Sequence, residues 1–291
     1  MKPNLNLAPN DFIMSVDVDS WSSLLRFYSV EHDIEEAERQ VNVEKGVDIL
    51  LDLFERARVK TTFFVPGEMA QRHPAKVKEI AEKGHEVACH GFIHERNECL
   101  LDVDEQKSRI EKSRSIVEEV THIRPVGFRA PCLRANDTTL AILSEMGFLY
   151  DSSFLPMLIP GYYGSLSFHL KPHRVTCKTG SILEIPVSTN PIVPLPLSAS
   201  WMRNLGLLHV KFGIRMLFAR RYPVMFYIHP RDVCDLPRVA GVPWHLYRNV
   251  GARSVEMLDE ILAYAKGLGG KVLRAKDFAL EFMKNEKEIE T

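Results

Sequence analysis

The feature that most constrains this chain is the repeated alternation of short apolar runs with segments of helical periodicity. The apolar runs are brief and rich in β-branched or aromatic residues, which is typical of strands covered on both faces. We predict strands at residues 12–16, 61–65, 86–88, 126–128, 148–150, 182–185, 224–228 and 271–273. The alternation predicts an α/β fold with a parallel sheet and helical crossovers. Seven or eight such units fit a barrel better than an open sheet, although periodicity alone does not close the barrel.

Length and composition fit one globular domain without a strong global charge. The 291 residues suffice for a large core, and the formal net charge of −1 does not indicate a nucleic-acid binder. We predict a barrel domain at residues 11–283 between tails at residues 1–10 and 284–291. We find no secretory signal and no run near the ~20 apolar residues that span a bilayer, which predicts a cytoplasmic protein. The five scattered cysteines contain no C-x-x-C pair and are predicted to be free thiols.

Two acidic residues, Asp17 and Asp19, end the first predicted strand in the sequence V-D-V-D. Residues two apart share one face of a strand, so at a strand end their carboxylates can converge on one site. Such a pair suits a division of labour in which one carboxylate binds a cation and the other acts as a base. The competing interpretation is a helix N-cap or a turn, and for this motif alone it is the better one.

Two histidines, His90 and His94, follow the third predicted strand. Their four-residue spacing places both rings on one side of a helical turn, close enough to coordinate one ion. The H-E-x-x-H pattern of metalloproteases is absent, so a base has to come from elsewhere, and Asp17 is available. A pair of structural histidines is the alternative. The preceding strand favours a metal site, because barrel sites lie at the carboxyl ends of strands.

Two further strand ends carry polar side chains. Arg129, in the sequence F-R-A-P, either pairs with a carboxylate or lies in an ordinary surface loop. Pro131 stiffens the turn and allows the backbone amide of Cys132 to point inward. His229 ends a very apolar strand and is either a buried core histidine or an acid or base. Each motif is ambiguous alone, but together they bring acids, histidines and an arginine to the ends of four strands.

The chain resembles the polysaccharide deacetylase family of carbohydrate esterases in six motifs, which in order are V-D-V-D, T-T-F-F-V-P-G, G-H-E-V-A-C-H-G-F-I-H, F-R-A-P, Y-D-S-S and F-Y-I-H-P. The resemblance runs from about residue 12 to about residue 233. It implies a distorted (β/α) barrel of about seven parallel strands with outer helices. It also implies a divalent metal, with Zn²⁺ expected, held by Asp19, His90 and His94, and it makes Asp17 the catalytic base.

The same resemblance assigns roles to the remaining polar residues. Arg129 resembles the arginine that holds the base, and His229 resembles the general acid. The backbone N–H of Cys132 falls where an oxyanion donor is expected, and Ile228 with its neighbours would form an apolar pocket for the acetyl methyl group. Asp151, in the sequence Y-D-S-S, is assigned to the substrate site as a candidate partner of His229.

The chain departs from the family pattern in three places. The usual adjacent Asp-Asp is Asp-Val-Asp, Cys132 replaces a more usual aromatic residue, and the Asp-Trp of the fourth motif is not evident. The Asp-Val-Asp spacing occurs in a branch that includes some peptidoglycan deacetylases and metal-free cyclic-amide hydrolases. Trp21, two residues past Asp19, is predicted to stack on a substrate sugar, with burial under the loop as the alternative.

These features predict a metal-dependent hydrolase that removes an N-acyl group, chiefly N-acetyl, from an amino sugar or glycan. The alternatives are an allantoinase-like hydrolase of a small cyclic amide, which dispenses with the metal, and a barrel that binds glycans without turning them over. Residues 201–221 form a basic amphipathic segment. It predicts either weak contact with a membrane surface or, as the favoured interpretation, a packed barrel helix with basic residues such as Arg203 in solvent.

Overall fold

The structure, a computed structural model, describes residues 10–95, 97–157 and 169–290. Within these ranges the strands are β1 (Asp11–Asp17), β2 (Thr62–Val65), β3 (Glu86–Cys89), β4 (Gly127–Phe128), β5 (Tyr150–Asp151), β6 (His173–Cys177), β7 (Gly180–Glu184), β8 (Val224–Ile228) and β9 (Lys271–Leu273). All eight predicted strands occur, with ends shifted by at most two residues. The predicted N-terminal tail lies outside the described residues except for Asn10.

The helices follow the strands as crossovers. They are α1 (Trp21–Phe27), α2 (Ile34–Gln40), α3 (Val43–Arg56), α4 (Gly67–Arg72), α5 (Pro74–Glu82), α6 (Val103–Thr121), α7 (Asp137–Glu145), α8 (Ala199–Leu205), α9 (Leu207–Ala219), α10 (Ala252–Gly267) and α11 (Ala275–Glu290). The predicted C-terminal tail at residues 284–291 is wrong, because α11 continues through that segment to residue 290. No helix of the described residues combines the length and the apolar character needed to cross a membrane.

The strands form one sheet in the order β6-β7-β5-β4-β3-β2-β1-β8, and β9 also pairs with β1. Every pairing is parallel except that of β6 with β7. The segment after β7 closes the ring: the Ser188 N–H donates to the Met225 carbonyl of β8 at 3.0 Å, and the Met225 N–H donates to Ser188 Oγ at 2.9 Å. The predicted distorted (β/α) barrel is therefore confirmed.

The antiparallel hairpin is the main difference from the predicted topology. Residues 155–178 were expected to form an irregular insertion, but β6 occupies residues 173–177 and pairs with β7 from His173–Glu184 to Cys177–Gly180. Residues 158–168 of that predicted insertion lie outside the described residues. The hairpin covers the β5 side of the sheet and leaves β6 as the terminal strand of the order.

Alternation along the central strands separates two buried layers. In β1, Val16 packs outward against the helices in the same cluster as Ile228 of β8. Ile13 packs inward with Met225 of β8. Asp17 shares this inward direction, because residues two or four apart on a strand point to one face. The strand ends therefore direct polar side chains into the mouth of the barrel.

Residues 201–221 form most of α8 and all of α9. The inner face of α9 packs on the barrel through Val210, Ile214 and Leu217. Its outer face leaves Leu208 and Phe212 exposed. This geometry agrees with the favoured interpretation of a packed helix, and membrane contact stays a prediction.

Candidate active site

A cavity of about 590 Å³ opens at the carboxyl ends of the strands. This volume lies in the usual range for small-molecule sites. Its described lining includes the predicted site residues Asp17, Asp19, His90, His94, Cys132 and His229. Aromatic side chains from α1, α8, β8 and the segment before α10 complete the wall; they are Phe27, Tyr28, Trp201, Tyr227 and Trp244. The strand ends thus bring the separated sequence motifs together as predicted.

Asp19, His90 and His94 form a compact cluster. Each residue offers one ligand atom, and these atoms lie within 4.8 Å of one another. Asp19 Oδ1 lies 3.4 Å from His90 Nε2, and Asp19 Oδ2 lies 3.2 Å from His94 Nε2. Asp19 Oδ1 is buried and accepts no well-formed hydrogen bond among the described residues. An unsatisfied carboxylate oxygen facing two imidazole nitrogens fits a divalent cation.

The backbone after β4 orients the first histidine of the cluster. His90 Nδ1 lies 2.7 Å from the carbonyl oxygen of Arg129. Because a carbonyl only accepts, Nδ1 carries the proton, which leaves Nε2 of a neutral His90 as the nitrogen able to bind a cation beside Asp19. Such an outer hydrogen bond is the usual way in which a metal-binding histidine is oriented.

The ionisation of the cluster also suits a cation. Burial opposes ionisation of Asp19, but His94 and His90 hold its pKa well below its usual value. Burial lowers the pKa of His94 to about 4, so its ring is neutral at pH 7. Burial also lowers the pKa of His90, but Asp19 and Asp17 more than offset that effect and the net shift is upward. Protons therefore compete with a metal mainly at His90.

Asp17 is held by a fully buried arginine. Arg129 Nη1 donates to Asp17 Oδ1 at 2.6 Å and to Ser15 Oγ at 2.9 Å. Its other nitrogens bind Ser152, with Nε donating to the carbonyl at 3.0 Å and Nη2 to Oγ at 2.9 Å. The guanidinium also lies 4.1 Å from the ring centroid of Phe64. The predicted Asp17–Arg129 pair thus occurs, and its geometry fixes the direction of the carboxylate.

His229 is supported by Asp232, a residue that the sequence analysis did not select. The His229 backbone N–H donates to Asp232 Oδ2 at 2.9 Å, and Nδ1 lies 3.4 Å from the same oxygen. The opposite ring nitrogen, Nε2, lies 3.4 Å from Asp19 Oδ2. Burial opposes ionisation of Asp232, but Arg203 and His229 lower its pKa far below the usual value. An aspartate three residues after a strand-end histidine, in H-P-R-D, is the sequence signal for this capping arrangement.

The expectation that Arg203 is a solvated residue of a basic helix face is wrong. Its side chain is 2% exposed, and Nη2 donates to Asp232 Oδ1 at 2.7 Å. Nη1 donates to the carbonyls of Leu246 and Arg248 at 3.1 and 2.6 Å. Arg203 therefore connects α8 to the turn that carries His229.

The predicted role of Asp151 as a substrate residue and partner of His229 is wrong. Asp151 is fully buried and is not among the described residues that line the cavity. It accepts the Ser153 hydroxyl at 2.6 Å, and that hydroxyl accepts the Ala130 N–H at 2.8 Å. Across the strands it faces Glu184, and burial raises the pKa of both carboxyls. Asp151 supports the turn after Arg129 rather than the substrate.

Two other substrate contacts are also wrong for reasons of side-chain direction. Trp21 is 1% exposed and packs with Leu24 and Leu25 in a separate cluster, so it does not reach the cavity. Ile228 points outward into the layer between sheet and helices, where it packs with Val16. Its neighbour Tyr227 faces the cavity instead, because adjacent strand residues point to opposite faces.

Cys132 lies in the cavity wall beside the cluster of Asp19, His90 and His94. Its Sγ is 3.9 Å from His94 Nε2, and its side chain lines the cavity. Its backbone is left-handed, with φ 55° and ψ 21°. Non-glycine residues adopt this conformation rarely and often at functional sites, which agrees with a role for this turn in the site.

The fold and the site together define a (β/α) barrel with an Asp-His-His cluster and an Asp–Arg pair at the strand ends. A polysaccharide deacetylase family model matches residues 41–150, and a model described as a domain of unknown function (DUF3473) matches residues 152–261. Residues 41–150 of this chain therefore contain a polysaccharide deacetylase domain. Asp17 and Asp19 precede both matched ranges, so their membership of the site depends on the geometry given above.

Several known proteins are similar to this chain. The peptidoglycan deacetylase-like protein FGM2 of Gibberella zeae is 34% identical over 49% of this chain and 46% of its own length. The peptidoglycan deacetylase of Helicobacter pylori is 30% identical over 51% of this chain and 50% of its own. The chain thus spans about half the length of these curated relatives. The crystal structure of a putative polysaccharide deacetylase from Mycobacterium smegmatis has TM-score 0.69 and 25% identity, covering 95% of this chain and 91% of the other.

Proposed function

We propose that this protein is a metal-dependent hydrolase that removes an N-acyl group, chiefly N-acetyl, from an amino sugar or glycan. The observation that carries the proposal is the convergence of Asp19, His90 and His94 with the Asp17–Arg129 pair at one cavity. Relatives named as peptidoglycan deacetylases support the same reaction class.

The cation that we propose is Zn²⁺, because it accepts two histidine nitrogens and one carboxylate as its protein ligands. When bound, the ion supplies Lewis-acid polarisation of the amide carbonyl and lowers the pKa of water from ~15.7 toward ~7. The other residues move protons. Asp17 takes a proton from the attacking water. Arg129 orients the Asp17 carboxylate by donating a hydrogen bond to one of its oxygens.

His229 donates a proton to the departing amine. Its Nε2 points toward Asp19 and so toward the reacting group, while Asp232 lies on the Nδ1 side. Asp232 stabilises the protonated ring and holds its orientation, as a buried carboxylate does for a catalytic histidine. A contribution of about 100- to 10,000-fold in rate is typical of such proton transfer.

The decisive test is the variant Asp17→Asn. The amide oxygen still accepts from Arg129, so we expect zinc content to stay at the wild-type level while acetate release from N-acetylated sugars falls by at least about 100-fold. The matched control is Asp48→Asn, an exposed aspartate of α3 that pairs with Lys76 and should not alter turnover. Full activity of Asp17→Asn would contradict the proposal.

The same assays separate the alternatives. Turnover of a small cyclic imide that survives chelation would favour an allantoinase-like hydrolase. Glycan binding by the zinc-loaded protein without release of any acyl group would favour a non-catalytic barrel. Loss of acetate release on chelation and its recovery with added zinc are the results that we expect.

A further inference from the structure

Four arginines lie in or beside the cavity, and they differ in their partners. Arg129 and Arg203 each bind a carboxylate, at 2.6 and 2.7 Å, and each makes further hydrogen bonds to backbone carbonyls. Arg231 lines the cavity with a side chain that is 12% exposed. Within the described parts of the chain its side chain has one polar contact, to Asp19 Oδ2 at 3.5 Å.

That contact is weak. A length of 3.5 Å exceeds the usual 2.7–3.2 Å of an N–H···O hydrogen bond. The same oxygen also faces His94 at 3.2 Å and His229 at 3.4 Å, so Arg231 shares it with both. A guanidinium carries five N–H donors, and the Arg231 side chain lines the cavity. Arg231 therefore has donors directed at a space that the described residues do not fill.

The charges around the cavity do not supply an anion for Arg231. The lining contains three carboxylates, and Asp17 and Asp232 are each paired with their own arginine. The third, Asp19, belongs to the metal cluster, and a cation held there would compete with Arg231 for it. Arg248 also lines the cavity and has no ion pair among the described residues. The cavity is thus prepared for an external negative charge.

The backbone that carries Arg231 is rigid. Arg231 lies in the short 3-10 helix Pro230–Val233, which begins with the reciprocal His229–Asp232 cap. Asp232 is in turn fixed by Arg203. A group held on such a supported turn loses little entropy when it binds a ligand, which is the arrangement expected of a specificity residue.

We propose that Arg231 binds an anionic oxygen group, either a carboxylate or a phosphate, that the acylated amino sugar carries. This inference rests on the proposed deacylation. The planar guanidinium fork matches both kinds of anion. Because Arg231 contacts Asp19, the carboxylate of the proposed metal cluster, the anion lies on the acylated sugar itself. The cavity of about 590 Å³ has room for this substituent.

The test measures binding to the zinc-loaded protein by calorimetry, with matched neutral and anionic sugars. The probes are N-acetylglucosamine, its 6-phosphate, and N-acetylmuramic acid, which carries a carboxylate. We expect Arg231→Gln to weaken binding of the preferred anionic sugar by about 10- to 100-fold and to change that of N-acetylglucosamine by less than about twofold. The anionic sugar that binds with the higher affinity shows whether Arg231 prefers a phosphate or a carboxylate.

Controls separate this inference from the proposed activity and from misfolding. Arg253→Gln removes an exposed arginine of α10 and should alter none of the affinities. Arg231→Lys keeps the charge and should retain part of the preference for the anionic sugar. It replaces Arg231→Gln in the test if the Gln variant loses zinc or has a lowered thermal midpoint. Equal loss of affinity for neutral and anionic sugars, or an anion preference undiminished in both variants, would overturn the proposal. Selective binding without acyl release would instead count against the deacylation alone.

Discussion

Asp11 is a buried carboxylate at the start of β1, at the opposite end of the strand from the candidate site. It is 2% exposed, and its Oδ1 has no hydrogen-bond partner among the described residues. Burial, reinforced by the nearby Glu281, raises its pKa from 3.8 to about 6, against an opposing effect of Lys271. Folding therefore favours the neutral acid.

The pH dependence of stability should reveal this group. The carboxyl is neutral in both folded and unfolded chains well below pH 4. Its destabilising effect grows as the pH rises from about 4 to about 6 and is constant above that, because the folded-state pKa is the higher one. Asp11→Asn removes the titrating group and should stabilise the protein relative to the wild type. We expect this increase in the free energy of unfolding to be about 1 kcal/mol larger at pH 7.5 than at pH 5. Denaturant titrations of both proteins measure the free energy of unfolding. An equal effect of the substitution at both pH values would contradict the raised pKa of Asp11.

The residues that sequence analysis brought together correctly share one property. Asp17, Asp19, His90, Arg129 and His229 all follow or end apolar strands, and parallel strands present their carboxyl ends to one side. Side-chain direction was harder to predict. Tyr227 and Ile228 point to opposite faces of β8. An error of one residue therefore assigns a side chain to the cavity when it lies in the layer between sheet and helices.

Prediction from the sequence also missed the buried polar residues that hold the site residues in position. Asp232 and Arg203 are 29 residues apart, and neither has a sequence neighbour that indicates the pair. A buried Arg203 looks like any basic residue of an amphipathic helix when only the sequence is known. The motif Y-D-S-S drew attention to Asp151, although in the fold its Ser152 and Ser153 hold the turn of Arg129 and Ala130.

At the scale of elements, α3 packs directly on the turn that carries His229. A Cβ atom added at Gly46 would lie 2.5 Å from the Pro230 carbonyl oxygen and 2.7 Å from the Pro230 Cβ. Backbone cannot yield as a flexible side chain does, so the two elements have to separate. Gly46 thus sets the distance between this helix and the turn that carries His229.

Gly46→Ala should therefore lower activity more than its distance from the cavity indicates. Displacing a catalytic group by about 1 Å can cost about 100-fold in rate, so we expect a fall in kcat of about 10- to 100-fold. The thermal midpoint should fall too, since overpacking by about 1–3 kcal/mol outweighs the helix preference of alanine, about 1 kcal/mol. Gly267→Ala at the end of α10 is the control, because no neighbouring element of the described residues lies within 4 Å of its added Cβ. Identical behaviour of the two variants would refute this role of Gly46.

The hairpin of β6 and β7 shows why one strand escaped prediction. The sequence H-R-V-T-C of β6 has one strongly apolar residue, and most of its residues are half-buried or exposed. Period-two alternation is weak in such a strand, whereas β1 is buried throughout, β8 is buried except at the half-buried Tyr227, and both give clear apolar runs. Barrel closure through Ser188 was equally hidden, because that segment is irregular.

For the whole molecule, a cation bound by Asp19, His90 and His94 would cross-link the end of β1 to the turn after β3. A ligand that binds only the folded chain stabilises it by mass action, by about 4 kcal/mol at 1,000 times its dissociation constant. We expect chelation to lower the thermal midpoint and added Zn²⁺ to restore it in calorimetric scans. Asp19→Asn should abolish this response, whereas Asp17→Asn should keep it. A thermal midpoint that changes with neither chelator nor added zinc would contradict the assignment of the cluster as a metal site.

The pairing of β1 with β8 joins residues that are far apart in the chain, with Phe12 opposite Val224. Ribosomes add about 5–20 residues per second, so roughly 10–40 s separate the synthesis of these two strands. During that interval β1 has emerged, but one of its hydrogen-bonding edges has no partner, and an open strand edge attracts other chains. His229 and Arg231 arrive on the same late segment. The nascent chain therefore lacks part of the candidate site and is most exposed to association until its last third has been translated.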